Sequence, residues 1–429
     1  MKSRACVKRT GVFIGLLALL ASCGGAPSTP PNILLVSIDT LRSDRLGCYG
    51  YGRNTSPALD EFARTRAVRF ERAISESSWT LPSHVSMLTG LYPLTHGATL
   101  PHLFPSDDVE FFAETLGRNG YQCFGRTDGG WMSEHWGFGR GFHSFDATDT
   151  TLAESIEDTK QFIRGSSDKG PWFAFLHTYD VHCPYDPPEP WFSMFSSKEA
   201  EALDVAGKCG NPHYNGVELN SDQVRYLSDR YDGGVRWADD ALAQLFAFLE
   251  ETDSWKNTIV IVTSDHGEEF KEHGQIGHER TLHRETLMIP LLVAAPGIKS
   301  AVVSTPAGLT DIVPTLLEWI GIEAHDEFDG YSQVKTLRGE TDDSLPTERF
   351  SHLARQRVLF SRIDSEQHHI LSVVDESLQG FDLKTDLRET TNLCSRGSCK
   401  GVAESLQAEL VRQRSRRRTT RVIESLRGQ

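Results

Sequence analysis

Two acidic residues stand where apolar runs stop. Ile33–Ile38 is a nearly continuous run rich in Ile, Leu and Val that ends at Asp39, and Thr258–Thr263 (Thr-Ile-Val-Ile-Val-Thr) ends at Ser264-Asp265-His266. Runs without alternation suit strands covered on both faces, as in a parallel sheet, whose reactive edge lies at the strands' carboxyl ends. Asp39 and Asp265-His266 are therefore expected to open onto one crevice, although they lie far apart in the chain. Carboxylate oxygens with an imidazole suit a hard or borderline divalent cation: Ca²⁺, Mg²⁺ or Mn²⁺. An Asp at a strand end can also cap a turn, but two matched cases favour a metal centre.

A hydroxyl is expected nearby. After Ser78-Trp79-Thr80-Leu81-Pro82-Ser83-His84, the apolar positions Val85, Met87 and Leu88 predict a helix running to Gly90, and Pro82 fits its first turn. Thr80 then lies at or just before a helix N-terminus, where free N–H groups and the dipole favour an anion. A hydroxyl so placed beside a dication is an attacking group; simple helix capping is its other use.

These residues need a scaffold. Trp172–Leu176, followed by His177, Asp180 and His182, and Met288–Ala294 are two more continuous apolar runs. Val235, Ala238, Leu242, Leu245, Phe246 and Leu249 keep one apolar stripe at helical spacing, and Asp311–Ile320 begins on an Asp and stops at Gly321. Strands alternating with helices predict an α/β sandwich, a large mostly parallel sheet flanked by helices. From about residue 340 the pattern changes. Arg357–Arg362, His368–Val374 and Gly380–Leu383 read as short antiparallel strands. The organisation expected is a catalytic domain over 32–340, a small antiparallel subdomain over 341–395 and a helical tail over 396–429. The tail's basic run, Arg412 to Arg421, reads as a solvated helix face. The polar, Pro- and Gly-containing stretch Cys183 to Asn220 suits an active-site wall.

The N-terminus reads as an export signal over residues 1–22. Lys2, Arg4, Lys8 and Arg9 precede an apolar Gly11–Leu20, which is too short to span a bilayer. Leu20-Ala21-Ser22-Cys23 resembles a bacterial lipobox, so Cys23 is the expected lipid attachment and residues 23–31 a tether. The protein is then expected outside the cytoplasm, in periplasm or at the cell surface, held on a membrane by lipid. Cysteines beyond Cys23 are free to form disulfides there; Cys394/Cys399 and Cys183/Cys209 are the nearest pairs, with connectivity open. A net charge of -15 disfavours nonspecific nucleic-acid binding.

Several segments together resemble the sulfatases of the alkaline-phosphatase superfamily. Pro31-Asn32-Ile33-Leu34-Leu35-Val36-Ser37-Ile38-Asp39-Thr40 is similar to their opening strand, and Thr263-Ser264-Asp265-His266-Gly267 to their second metal pair. Thr80-x-Pro82-Ser83-His84-x-x-x-Leu88-Thr89-Gly90 resembles their nucleophile segment, Cys/Ser-x-Pro-Ser-Arg followed by Leu-x-Thr-Gly. Pro171–Pro187, Leu309–Thr315 and Phe381–Leu393 follow in the family's order. The resemblance implies one metal ion, Ca²⁺ by family habit, held by Asp39, Asp265, His266 and Thr80, with Thr40 where many sulfatases have a second Asp.

The departures carry information. Sulfatases oxidise their Cys or Ser to formylglycine; Thr80 carries a β-methyl and would yield a ketone. His84 replaces the family Arg, His278 a family Lys, and the family's Lys-x-His is absent near Arg126–Gly130. Fixed cations thus give way to titratable imidazoles. A Thr in this position resembles the phosphoethanolamine transferases and lipoteichoic acid synthase, which carry a phosphoryl adduct on it. The leading expectation is a hydrolase of sulfate or phosphate esters with Thr80, His84, His182 and His278 as its working groups, acting on a small-molecule, glycan or lipid ester. The alternatives are a phosphotransferase working through a Thr80 adduct, and a binding protein without turnover.

Overall fold

The apolar runs form strands. In this computed structural model, which describes residues 30–166, 169–196, 219–324, 327–394 and 399–416, the large sheet has eight strands. They are β1 (Asn32–Ile38), β2 (Val68–Phe70), β3 (Gln122–Arg126), β4 (Ser144–Asp146), β5 (Trp172–Thr178), β6 (Thr258–Thr263), β7 (Leu291–Ala294) and β8 (Ala301–Val303). Their order across the sheet is β8-β2-β7-β6-β1-β5-β3-β4. The central strands are parallel, and Ser37 of β1 lies level with His177 of β5 and Thr263 of β6. The carboxyl ends of three neighbouring strands are thereby flush.

Both faces of the sheet are covered, which is why these strands show no hydropathy alternation. Ile33, Leu35, Phe175 and Ile261 pack with Val85 of α2 (Thr80–Thr89) and Leu316 of α5 (Ile312–Ile320). Leu34, Val36, Leu176 and Val262 pack on the other face with Phe62 of α1 (Pro57–Thr65), Ile156 of α3 (Leu152–Ser166) and Leu242 of α4 (Ser221–Glu251). Each such side chain contributes roughly 1.5–3 kcal/mol of burial. Helix α4 carries the expected stripe but starts earlier, because the Asn220 side chain accepts the N–H groups of Asp222 and Gln223 and nucleates it.

The Met288–Ala294 run is not one strand. Pro290 divides it: Met288–Ile289 pairs with Ala73–Ile74 in a separate three-stranded sheet, and Leu291–Ala294 enters the large sheet antiparallel to β6. Composition could not reveal that reversal. A smaller sheet follows, β9 (Arg349–Ala354), β10 (Val358–Ile363), β11 (Gln367–Ser372) and β12 (Leu378–Asp382), antiparallel throughout. Strand β9, absent from the sequence reading, is an edge that anchors to the catalytic body through Ser351 Oγ to the Ser75 carbonyl at 2.6 Å and His352 N–H to the Glu76 carbonyl at 2.8 Å. Helix α6 (Lys400–Ser415) lays Leu406 and Leu410 against Phe360 and Leu371 of this sheet. Glu389 pins the two parts, accepting from His283 at 2.8 Å and His368 at 2.6 Å.

Cys394 and Cys399 form a disulfide, Cys183 is disulfide-bonded, and Cys48 and Cys123 are free thiols. The export signal, Cys23, Cys209 and the end of the basic run lie outside the described residues.

Candidate active site

The flush strand ends build the site. Asp39 follows β1, His177 lies near the end of β5, and Asp265-His266 follow β6 by one residue; all four are fully buried. Candidate ligand atoms of Asp39, Asp265 and His266 lie within 4.8 Å of one another. His266 Nδ1 sits 2.9 Å from the Gly267 carbonyl, so that nitrogen carries the proton and Nε2 turns its lone pair toward the carboxylates. Nε2 lies 3.2 Å from Asp265 Oδ2 and 3.9 Å from Asp39 Oδ1. Asp39 Oδ1, Asp265 Oδ2 and His266 Nε2 are all buried without a hydrogen-bond partner. Three inward-facing acceptors with no donor are the donor set a divalent cation requires, and the residues present fit one.

Electrostatics agrees. Burial pushes Asp265 well above the carboxylate range, and the neighbouring Asp39 charge adds to it. Burial opposes ionisation of Asp39 too, but the His177 hydrogen bond and the nearby imidazoles hold it well below that range. Two facing buried carboxylates cannot both ionise cheaply without a cation between them. Burial, then the neighbouring His278, pushes His266 down to about 4, leaving the neutral imidazole that ligates metals.

Thr80 opens α2, which Gly90 ends with φ 71. Its hydroxyl does not cap the helix; it donates to Asp39 Oδ2 at 3.2 Å, the oxygen that His177 Nε2 reaches at 3.3 Å. Thr80 lines a cavity of about 750 Å³ together with Tyr179, His182, Glu268, His278 and Trp131. His84 does not line it. One helical turn beyond Thr80, its Nδ1 meets the Thr80 carbonyl at 3.0 Å and its Nε2 the Ser37 hydroxyl at 2.8 Å, and burial followed by His177 holds it neutral. This places His84 behind Thr80, where it can position that residue but does not reach the cavity. Thr40 turns its hydroxyl onto the Asp39 carbonyl at 2.7 Å and offers Asp265 its backbone N–H at 3.2 Å, from a left-handed backbone of φ 59. Its side chain therefore buttresses the turn and does not face the ligand cluster.

Two of the expected histidines, His182 and His278, line the cavity. His278 Nδ1 lies 2.9 Å from Glu268 Oε1; burial opposes its charge, but the Glu268 carboxylate outweighs burial and raises it to about 9. The Glu268 carboxylate thus favours the charged form of His278 on the cavity wall. His182 stands beside it, ring centroids 5.1 Å apart. Arg126, near the missing Lys-x-His, is spent on Asp146 and Asp158 at 2.9 and 3.0 Å. Sequence reasoning noted His177 after its apolar run but gave it no role, although the rule that singled out Asp39, a polar residue closing a buried strand, applies to it too. It missed Glu268, which had no signal beyond closeness to His266.

The geometry can be set beside known proteins. Residues 31–322 match the Sulfatase family model. An arylsulfatase of Clostridium perfringens is 24% identical, over 89% of this chain and 94% of its own length. Arylsulfatase K of Gallus gallus is 34% identical, over 77% of this chain and 72% of its own. The crystal structure of a phosphonate monoester hydrolase of Agrobacterium radiobacter shares the fold with a TM-score of 0.75 at 19% identity, over 90% of this chain and 95% of that one.

Proposed function

The chain belongs to the sulfatase family and is an ester hydrolase of the alkaline-phosphatase superfamily, and we propose that it works through a covalent adduct on Thr80. The observation that carries this is the Thr80 hydroxyl, donated at 3.2 Å to a carboxylate of the buried Asp39/Asp265/His266 cluster and open to the cavity. Asp39, Asp265 and His266 would hold a divalent cation, which neutralises the paired carboxylates and polarises the ester's free oxygens. Thr80 Oγ1 forms a bond to the sulfur or phosphorus while the bond to the leaving oxygen breaks. The hydroxyl proton leaves to solvent in the cavity, since Asp39, held well below the carboxylate range, is too weak a base to keep it, and the leaving oxygen takes a proton from the His278/His182 side. Water oxygen then bonds to the sulfur or phosphorus as the bond to Thr80 Oγ1 breaks; one water proton returns to the histidine side and Thr80 Oγ1 regains a proton from solvent.

The chemistry of this threonine favours phosphorus. A phospho-threonine is resolved by in-line attack of water, whereas a sulfo-threonine lacks the route by which formylglycine expels sulfate. The Leu20–Cys23 motif supports a lipid-tethered enzyme outside the cytoplasm, and the Cys394–Cys399 disulfide suits an oxidising compartment. Turnover of aryl phosphate, phosphonate and sulfate esters, with and without an alcohol acceptor, tests the reading. Free anion as the product supports hydrolysis; ester transferred to the alcohol in place of free anion contradicts it.

A further inference from the structure

A second cavity of about 460 Å³ adjoins the catalytic one, and Leu100 lines both. The partition is the end of edge strand β9 and the residue after it. Side chains alternate along a strand, so His352 and Ala354 face the second cavity while Arg355, paired with Glu279 at 2.7 Å, faces the first. The second cavity's polar lining is one-sided. His352 is buried with neither ring nitrogen partnered, and Thr99 Oγ1 is likewise buried and unpartnered. Burial, then Arg414, pushes His352 down to about 3, so the ring is neutral and offers one N–H. Arg414, in the last turn of α6, completes the wall without a carboxylate partner among the described residues. No Asp or Glu lines this cavity, in a chain of net charge -15.

The loop between the cavities also carries Phe104, 53% exposed, which packs on Trp136 at 5.3 Å; Trp136 packs on Trp131 of the catalytic cavity at 4.7 Å. Exposed apolar surface continuous with a reactive pocket marks where a ligand lies.

We propose that the cavity beyond Leu100 is a second anion subsite, filled by another negatively charged group of the same substrate, whose leaving portion is a ring system crossing Leu100. This rests on the reading of Thr80 as the ester-cleaving centre. An oligosaccharide carrying two or more sulfate or phosphate groups has the required chemistry.

The test takes a tetrasaccharide carrying several phosphate groups or its multiply sulfated counterpart, whichever the wild type turns over faster, and compares it with 4-nitrophenyl sulfate and 4-nitrophenyl phosphate. In Arg414→Gln the ratio of kcat/KM for the tetrasaccharide to that for the better aryl ester should fall about tenfold, through KM, which is about 1.4 kcal/mol. Thr99→Val should move the same ratio in the same direction. An unchanged ratio in both variants overturns the subsite. Calorimetric titration of the tetrasaccharide into Thr80→Ala, with and without Arg414→Gln, separates this from the hydrolase reading. Absence of turnover in the wild type would refute that reading, while equal affinity in the two titrations would refute the subsite.

Discussion

Replacing Asp265 by Asn tests the metal centre without removing side-chain volume. Asn retains an oxygen that can accept the Thr40 and His266 N–H groups, at 3.2 and 2.9 Å in the native site. The ligand atoms of Asp39 and Asp265 lie within 4.8 Å, where ionising both carboxylates costs about 3.5 kcal/mol at an effective dielectric near 20. Without a cation Asp265 therefore keeps its proton, and Asn replaces a neutral group. In EDTA the variant should therefore unfold no lower than the wild type. A cation at about a hundredfold above its Kd adds about 2.7 kcal/mol to the wild type. For a chain of this length the unfolding entropy is about 0.9 kcal/mol/K, so the wild-type Tm should rise by about 3 °C. Calorimetry with Ca²⁺, Mg²⁺ or Mn²⁺, and elemental analysis of the purified proteins, read both effects. A variant that keeps the full cation-dependent rise, or full metal content, refutes the assignment.

Thr80→Ala should lose at least several hundred-fold of kcat/KM, well beyond the roughly 1 kcal/mol of a lost helix cap, while Thr80→Ser keeps part of it. Equal activities in the two variants would show that the hydroxyl does not act. Glu285 beside His273 at 2.5 Å outweighs burial and raises that imidazole to about 9. A raised imidazole contributes stability that is complete below about pH 6.5 and lost as pH rises toward 9. His273→Gln should flatten the decline of Tm over that window, and an unaltered decline would exclude the pair. Cys23→Ala should release the protein from the membrane fraction, since an acyl chain contributes about 0.8 kcal/mol per buried CH₂; retention after a salt wash would exclude the anchor.

The strand ends were readable because a parallel sheet covered on both faces writes its strands as unbroken apolar runs, and the first polar residue after each run marks the reactive rim. That logic placed Asp39, Asp265 and His266 together across the chain. It did not find the reversal at Pro290 or the edge strand β9, since both depend on which neighbour a short segment meets. Nor could a motif reveal that His84 spends both nitrogens on Ser37 and Thr80, or that Glu268 partners His278 at 2.9 Å. Residue type and spacing are local; hydrogen-bond partners supplied by distant segments are not. The second cavity is the extreme case, since Thr99, His352 and Arg414 belong to three separate elements.

The central claim is that Thr80 carries the reacting group. Rapid acid quench of the wild-type enzyme with an aryl phosphate, an aryl phosphonate or an aryl sulfate, followed by peptide mass spectrometry, measures it directly. A phosphoryl, phosphonyl or sulfuryl adduct on the Thr80 peptide, formed during turnover, lost on further incubation and absent from Thr80→Ala, is the predicted result. Turnover at ordinary enzymatic rates with no adduct at Thr80, or with activity retained in Thr80→Ala, would contradict it.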